Sequence, residues 1–380
     1  MSFFACLGGK KGKEERGEIM RRRETFLFLA VAVLFLYTGS AYAYRPVIDL
    51  GTLGGNSSEA YSINDSGQIV GRAHDSSGPQ HACLFDPTGG GANIDLRGGS
   101  NSWAWSINDN GQIVGASDNR ACLFDSTGNG NNKDLGTLSH DSDSRAFSIN
   151  DNGQIVGCTS TGWEPFSRAC LFDSTEGGAN KDLGTLGGDS GQAWSINDGG
   201  QIVGYAVNNS GDFRACLFDP TGGGANRDLG TLGGTSSYAY SINDNGQIVG
   251  DAGGHACLFD PTGGGANTNL GILGGYISSA SFINDVGQIV GRARDSSSNQ
   301  RAYLFDPTGQ GNNIDLNTLI APTSGWTLID AYCINNNGWI VGDGINAAGQ
   351  IHAYLLIPEP TCAVLMIVGA VLLARRRNRR

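Results

Sequence analysis

Basic residues are scarce in this chain once its two ends are set aside. Between Tyr44 and Pro360 the 380-residue sequence has 13 Lys and Arg, only two of them Lys, against 32 Asp and Glu, a net charge of about −19. A body so acidic repels nucleic acid and anionic lipid, and it favours solubility or association with cations. Histidine is rarer still: there are five, none at an H-x-x-x-H metal spacing or beside a nucleophile and an acid. No stretch between the ends has helical periodicity, which excludes bundles and alternating strand–helix folds. Phosphate-loop and dinucleotide patterns go with them, because the recurring PTGGGAN lies between two strands with no helix after it. Ser is common, but no strand-to-helix elbow surrounds it. With only 10 Pro and no triplet period, the 60 Gly are not collagen-like and instead mark turns between short strands.

The chain repeats itself. Ile-Asn-Asp or a close relative recurs with its Asn at Asn64, Asn108, Asn150, Asn197, Asn243, Asn284 and Asn335, in steps of 44, 42, 47, 46, 41 and 51 residues. A period in the forties built from short apolar runs means seven copies of one supersecondary unit. The fifth unit shows four strand-like pieces: Ala239–Asn243, Gln247–Ala252, His255–Asp260 and Thr268–Leu273. Asp244-Asn245-Gly246 and its counterparts read as three-residue hairpin loops with Gly in the left-handed position, and further oxygen ligands for a calcium loop are missing. In the first strand, small Ala, Ser and Asn alternate with an aromatic and Ile, as in Ala104-Trp105-Ser106-Ile107-Asn108, so both faces are expected to be buried. Four-stranded antiparallel sheets stacked radially satisfy this pattern. The expected fold is all-β, a seven-bladed β-propeller, with a β-solenoid as the alternative.

The ends differ from the body. Met20-Arg21-Arg22-Arg23, the run FLFLAVAVLFLY and Ala41-Tyr42-Ala43 make the basic, apolar and small-residue parts of a secretory signal, placing a signal helix in residues 1–43 and cleavage after Ala43. Met20 is an alternative start. Pro358-Glu359-Pro360 precedes an apolar run, Thr361–Ala374, and then a cluster of five Arg. As a helix that run spans about 21 Å, short of the roughly 30 Å hydrocarbon core, so it suits a transient transmembrane segment better than a permanent anchor.

The order of Pro-Glu-Pro, short apolar helix and arginines in residues 358–380 resembles the PEP-CTERM sorting signal of exported bacterial proteins, also described as an ice-binding-protein C-terminal domain. The resemblance implies export, an intermediate held in the membrane with its arginines in the cytoplasm, and processing near Pro358, Glu359 and Pro360 by an exosortase-type enzyme. An ordinary tail anchor is the bland alternative. Over residues 44–357 the SINDxGQIVG, A-x-LFD and DLGTLGG pattern resembles the HAF family of extracellular bacterial repeats, which carries no settled activity. The order of strands also resembles tryptophan-aspartate repeat propellers, with Phe-Asp where those have Trp-Asp. That likeness implies that Val47–Leu53 is the outermost strand of the last blade, closing the ring without a covalent bond.

Nine Cys in an exported chain invite a disulfide framework. Five of them, Cys83, Cys122, Cys170, Cys216 and Cys257, occupy one repeat position, too far apart between blades to pair, so free buried thiols are expected. A basic residue, His81, Arg120, Arg168, Arg214, His255, Arg301 or His352, precedes the third-strand Ala of every unit. Sevenfold recurrence argues for a brace to the turn Asp of the same blade rather than a catalytic centre. The residues that break the repeat are the loop aromatics Trp163, Phe166, Phe213, Tyr276 and Trp326, candidates for stacking on sugars or gripping a protein partner. No cofactor is expected.

Two functions remain. One is an exported, non-catalytic module binding extracellular polysaccharide or another surface protein. The other is a propeller enzyme, a glycosidase or lyase, acting on extracellular polysaccharide. Two or three carboxyls of raised pKa in a central pocket mark the enzyme, and a flat aromatic loop face marks the module.

Overall fold

The computed structural model describes residues 46–162, 166–175 and 179–358. Their strands form seven four-stranded antiparallel sheets, and the one helix among the described residues is a single 3₁₀ turn, Leu316–Leu319. Each sheet is a blade of a seven-bladed β-propeller. Blade 1 runs outward from the axis as Gly54–Ile63, Ile69–Asp75, Gln80–Phe85 and Ile94–Asp95. The other inner strands are Ser102–Ile107, Asp143–Ile149, Gly187–Ile196, Ser237–Ile242, Gly274–Ile283 and Thr327–Ile334.

Blade 7 is completed from the other end of the chain. Ile48 pairs with Leu355 and Asp49 with Tyr354, Leu50 N–H donates to the Ala353 carbonyl at 3.0 Å, and the Leu50 side chain is buried. The solenoid is thereby excluded, since a stack of coils leaves its first and last units apart. The signal helix, the cleavage residue Ala43, the C-terminal transmembrane helix and the motif residues Glu359 and Pro360 lie outside the described residues.

Blades stack through the two-faced strands that the alternation implied. Between blades 4 and 5, Val203, Ala215 and Leu229 meet Ala239, Ile242, Ile248, Ala252, Cys257 and Phe259, all buried, with Leu217 and Leu232 at the margin. Burying each large member contributes about 1.5–3 kcal/mol, and the small Ala and Cys let the sheets approach. The inner hairpin turns are as read. In blade 1 Asn64 N–H donates to the Gln68 carbonyl and Gly67 N–H to the Asn64 carbonyl, with Gly67 at φ +83°.

The basic residue of the third strand is a brace in six blades, His255 of blade 5 having no ion pair among the described residues, but its partner differs from the turn Asp expected. Arg120, Arg168, Arg214 and His352 pair with the outermost-strand Asp134, Asp182, Asp228 and Asp49. His81 lies between Asp75 and Asp95, and Arg301 meets Asp295. The turn Asp residues face the axis and are occupied there.

Candidate functional site

Two levels of the central channel are built differently. At the narrow end every blade is alike. Asn64 Nδ2 donates to the Asn108 carbonyl of the next blade, and the same bond repeats through Asn150, Asn197, Asn243, Asn284 and Asn335 until Asn335 donates to the Asn64 carbonyl, each at 2.9–3.0 Å. One residue further on, each backbone N–H donates to the next blade's side chain, around Asp65, Asp109, Asp151, Asp198, Asp244, Asp285 and Asn336. These rings line a cavity of about 160 Å³. Burial and neighbouring carboxylates raise the pKa of Asp151 and Asp244. Among the described residues no group of three or more His, Cys, Asp or Glu is placed to hold a metal ion.

Above this level each inner strand carries a β-bulge. In blade 1 Ala60 pairs with Gly71 and Ser62 with Val70, leaving Tyr61 as the extra residue. Its counterparts are Trp105, Phe147, Trp194, Tyr240, Ser281 and Tyr332. A bulge re-aims its residue, here towards the axis. The partner strand must supply Gly, because a Cβ on Gly71 would sit 2.0 Å from the Glu59 carbonyl oxygen. Ring contacts join three neighbouring pairs: Tyr61 with Tyr332 at 5.4 Å, Trp105 with Phe147 at 5.1 Å and Trp194 with Tyr240 at 5.1 Å. Blade 6 contributes Ser281 instead, a gap in the aromatic lining.

The next cross-strand pair outward differs in every blade: Glu59–Arg72, Trp103–Ala116, Arg145–Cys158, Gln192–Tyr205, Tyr238–Asp251, Ser279–Arg292 and Asp330–Asp343. Its members divide the channel into two walls. Blades 2, 4 and 5 carry rings, with Trp103 stacked on Trp105 and Tyr205 and Tyr238 gathered around Trp194, and blade 3 between them carries Arg145. Blades 5, 6, 7 and 1 carry charge.

On the charged wall, Arg72 pairs with Glu59 at 2.6 Å and lies 5.9 Å over the Tyr61 ring. Arg292 reaches from blade 6 across small Ser279 to Asp330 at 2.8 Å, and the Tyr240 hydroxyl donates to Asp251 at 2.8 Å. Asp330 and Asp343 are directly opposite on neighbouring strands, where like charges repel. Each has one buried oxygen, Oδ1, without a partner. Burial, then Asp330 and Glu59, push the Asp343 carboxyl up to about 7. Burial also raises Asp330 against the pull of Arg292, and Asp251 against the hydrogen bond from Tyr240.

The four described loop aromatics lie at the same end of their blades, spread over blades 3, 4, 6 and 7. Phe213 opens the third strand of blade 4 and packs on Tyr205 at 5.4 Å and Tyr238 at 6.1 Å, so it extends the aromatic wall from a strand. Tyr276 lies in the inner strand of blade 6 rather than in a connection, and is 63% exposed. Phe166 is 52% exposed just before the third strand of blade 3, Trp326 is half-buried just before the inner strand of blade 7, and Trp163 lies outside the described residues. The channel pairs were missed because the repeat draws attention to what recurs. Their signal is plain once the units are aligned on Ile-Asn: the residue before the inner-strand Ala and the residue after the second-strand Gly never repeat as a pair.

No family model matches the chain, and no curated protein does. Among solved structures, a gluconolactonase from Xanthomonas campestris is similar at 12% identity, over 69% of this chain and 93% of that one, with a TM-score of 0.40.

Proposed function

We propose that the chain is an exported bacterial surface or extracellular-matrix protein that binds a glycan in the wide part of its channel without transforming it. One observation carries this reading: a channel level at which all seven blades differ sets a largely aromatic wall beside a charged one. A ring of seven equal environments offers a ligand no unique place, whereas this level does. Stacking faces with nearby hydrogen-bonding groups suit a sugar ring, apolar on its faces and polar at its rim. Phe213 belongs to this site, and Trp163, Phe166, Tyr276 and Trp326 are secondary contacts. Export machinery and an exosortase-type enzyme acting at Pro358, Glu359 and Pro360 are the transient partners of the two ends, and loss of both segments would show as a lower intact mass in native-host protein.

The enzyme reading is favoured by the raised carboxyls of Asp251, Asp330 and Asp343. Against it stands their setting. A glycosidase's two carboxyls flank a sugar, but Asp330 and Asp343 are 1% and 8% exposed and face each other across paired strands. A glycan array with the full-length chain tests both readings. Binding should be lost on replacing Trp103, Trp105 and Trp194 by Ala with the melting temperature little changed. Unaltered binding would sink the channel assignment, and release of new reducing ends would replace the module by an enzyme.

A further inference from the structure

The wall formed by blades 6, 7 and 1 is unbalanced in charge. It holds three carboxyls, Glu59, Asp330 and Asp343, against two guanidiniums, Arg72 and Arg292. Arg72 is taken by Glu59 and Arg292 by Asp330, which leaves Asp343 without a cation and Oδ1 of both Asp330 and Asp343 without any partner. A buried carboxylate pair in this state lacks one positive charge, and a proton supplies it when nothing else does. The charged groups around the pair are more accessible than the pair itself: the Arg292 side chain is 46% exposed and those of Arg72 and Glu59 about a quarter. The other groups turned towards this place are the hydroxyls of Tyr61, Tyr240 and Tyr332, and Asp251, itself bonded to Tyr240. None of them adds positive charge. Tyrosine faces attract cations, as Arg72 over Tyr61 already shows. The acidic body draws cations from solution and repels polyuronates.

Resting on the glycan-binding reading, we propose that the ligand is a cationic glycan, one bearing ammonium groups, and that an ammonium supplies the third positive charge beside Asp330 and Asp343. Neutral sugars leave the pair as it is, and a uronate adds a fourth negative charge to it. A further consequence is proton release. Because Asp343 keeps its proton up to about 7, a cation entering at pH 6 displaces it.

The test is titration calorimetry on the full-length chain with three probes: oligomers of β-1,4-linked glucosamine with permanently charged trimethylated amines, their N-acetylated counterparts, and oligoglucuronate. The charged oligomer should bind at least about ten-fold tighter than the N-acetylated one, with oligoglucuronate weakest, and should release about one proton at pH 6. Asp343→Asn should remove both the preference and the proton release. Glu59→Gln, which removes one of the carboxylates that raise Asp343, should weaken the preference and reduce the proton release at pH 6. Equal or tighter binding of the neutral oligomer, or an unaltered preference in Asp343→Asn, overturns the inference and leaves glycan binding standing. Failure of all three probes to bind overturns the inference together with the reading beneath it.

Discussion

Asn336 stands where the other six blades place an Asp, and its amide donates to Asp65 at 2.9 Å and to Asp285 at 3.0 Å. One neutral donor thus separates two carboxylates that would otherwise flank a third. Asn336→Asp should lose both bonds and add repulsion, costing about 1–2 kcal/mol at pH 7 and low salt, with recovery at high salt or at pH 4. Urea melts at the two pH values check this, and a variant as stable as the parent at pH 7 would refute the ring's need for a break. Asp343 gives the opposite lesson. Its folded pKa of about 7 lies above the unfolded value near 3.9, so its contribution is complete below pH 4 and is lost as pH rises through 7. Asp343→Asn should be more stable than the parent at pH 8, by a few kcal/mol at most, and the gain should vanish at pH 4. A pH-independent difference would contradict the assigned burial.

Among elements, the closing strand has the most work for its size. Two ladder residues, the buried Leu50, the Asp49–His352 pair at 2.8 Å and the Asn93 bond to the Leu50 carbonyl hold the ring shut. Removing residues 44–55 should lower the melting temperature by roughly ten degrees or more, since it exposes a sheet edge and a core residue together. Leu50→Ala alone should cost about 2–5 kcal/mol. A truncated chain melting within a degree or two of the parent would mean that the ring does not depend on this closure. That strand was legible from the order of the repeat, as were the hairpins from Asp-x-Gly. The outer strands were read too long. Their ladders stop after two residues in six blades and four in blade 5; in most blades the residue after the outer Leu turns the chain away at positive φ, as Gly51 at φ +67°, Arg97 at φ +53° and Gly230 at φ +79° show. Sequence alternation reports burial of Leu50 and Leu229, and burial continues past the end of pairing.

At the scale of the molecule, Cys83, Cys122, Cys158, Cys170, Cys216, Cys257 and Cys333 are free and buried. Burial raises the thiols of Cys83, Cys122, Cys170, Cys216, Cys257 and Cys333, those of Cys122, Cys257 and Cys333 to about 12. An aromatic disulfide reagent at pH 8 should therefore label none of these seven in the native protein and all of them in denaturant, even in material recovered from an oxidising compartment. Rapid native labelling would show that blades part readily. Their common position was readable from the repeat, whereas the channel site was not, for it consists of the residues in which the blades disagree. The narrow-end rings have one more property. Every Asn amide points to the blade that follows, and none points back, so seven bond dipoles circulate head to tail. A closed circulation has no net moment across the ring. The potential at that mouth is accordingly set by its six carboxylates, negative, nearly uniform around the rim, and screened by salt over about a nanometre.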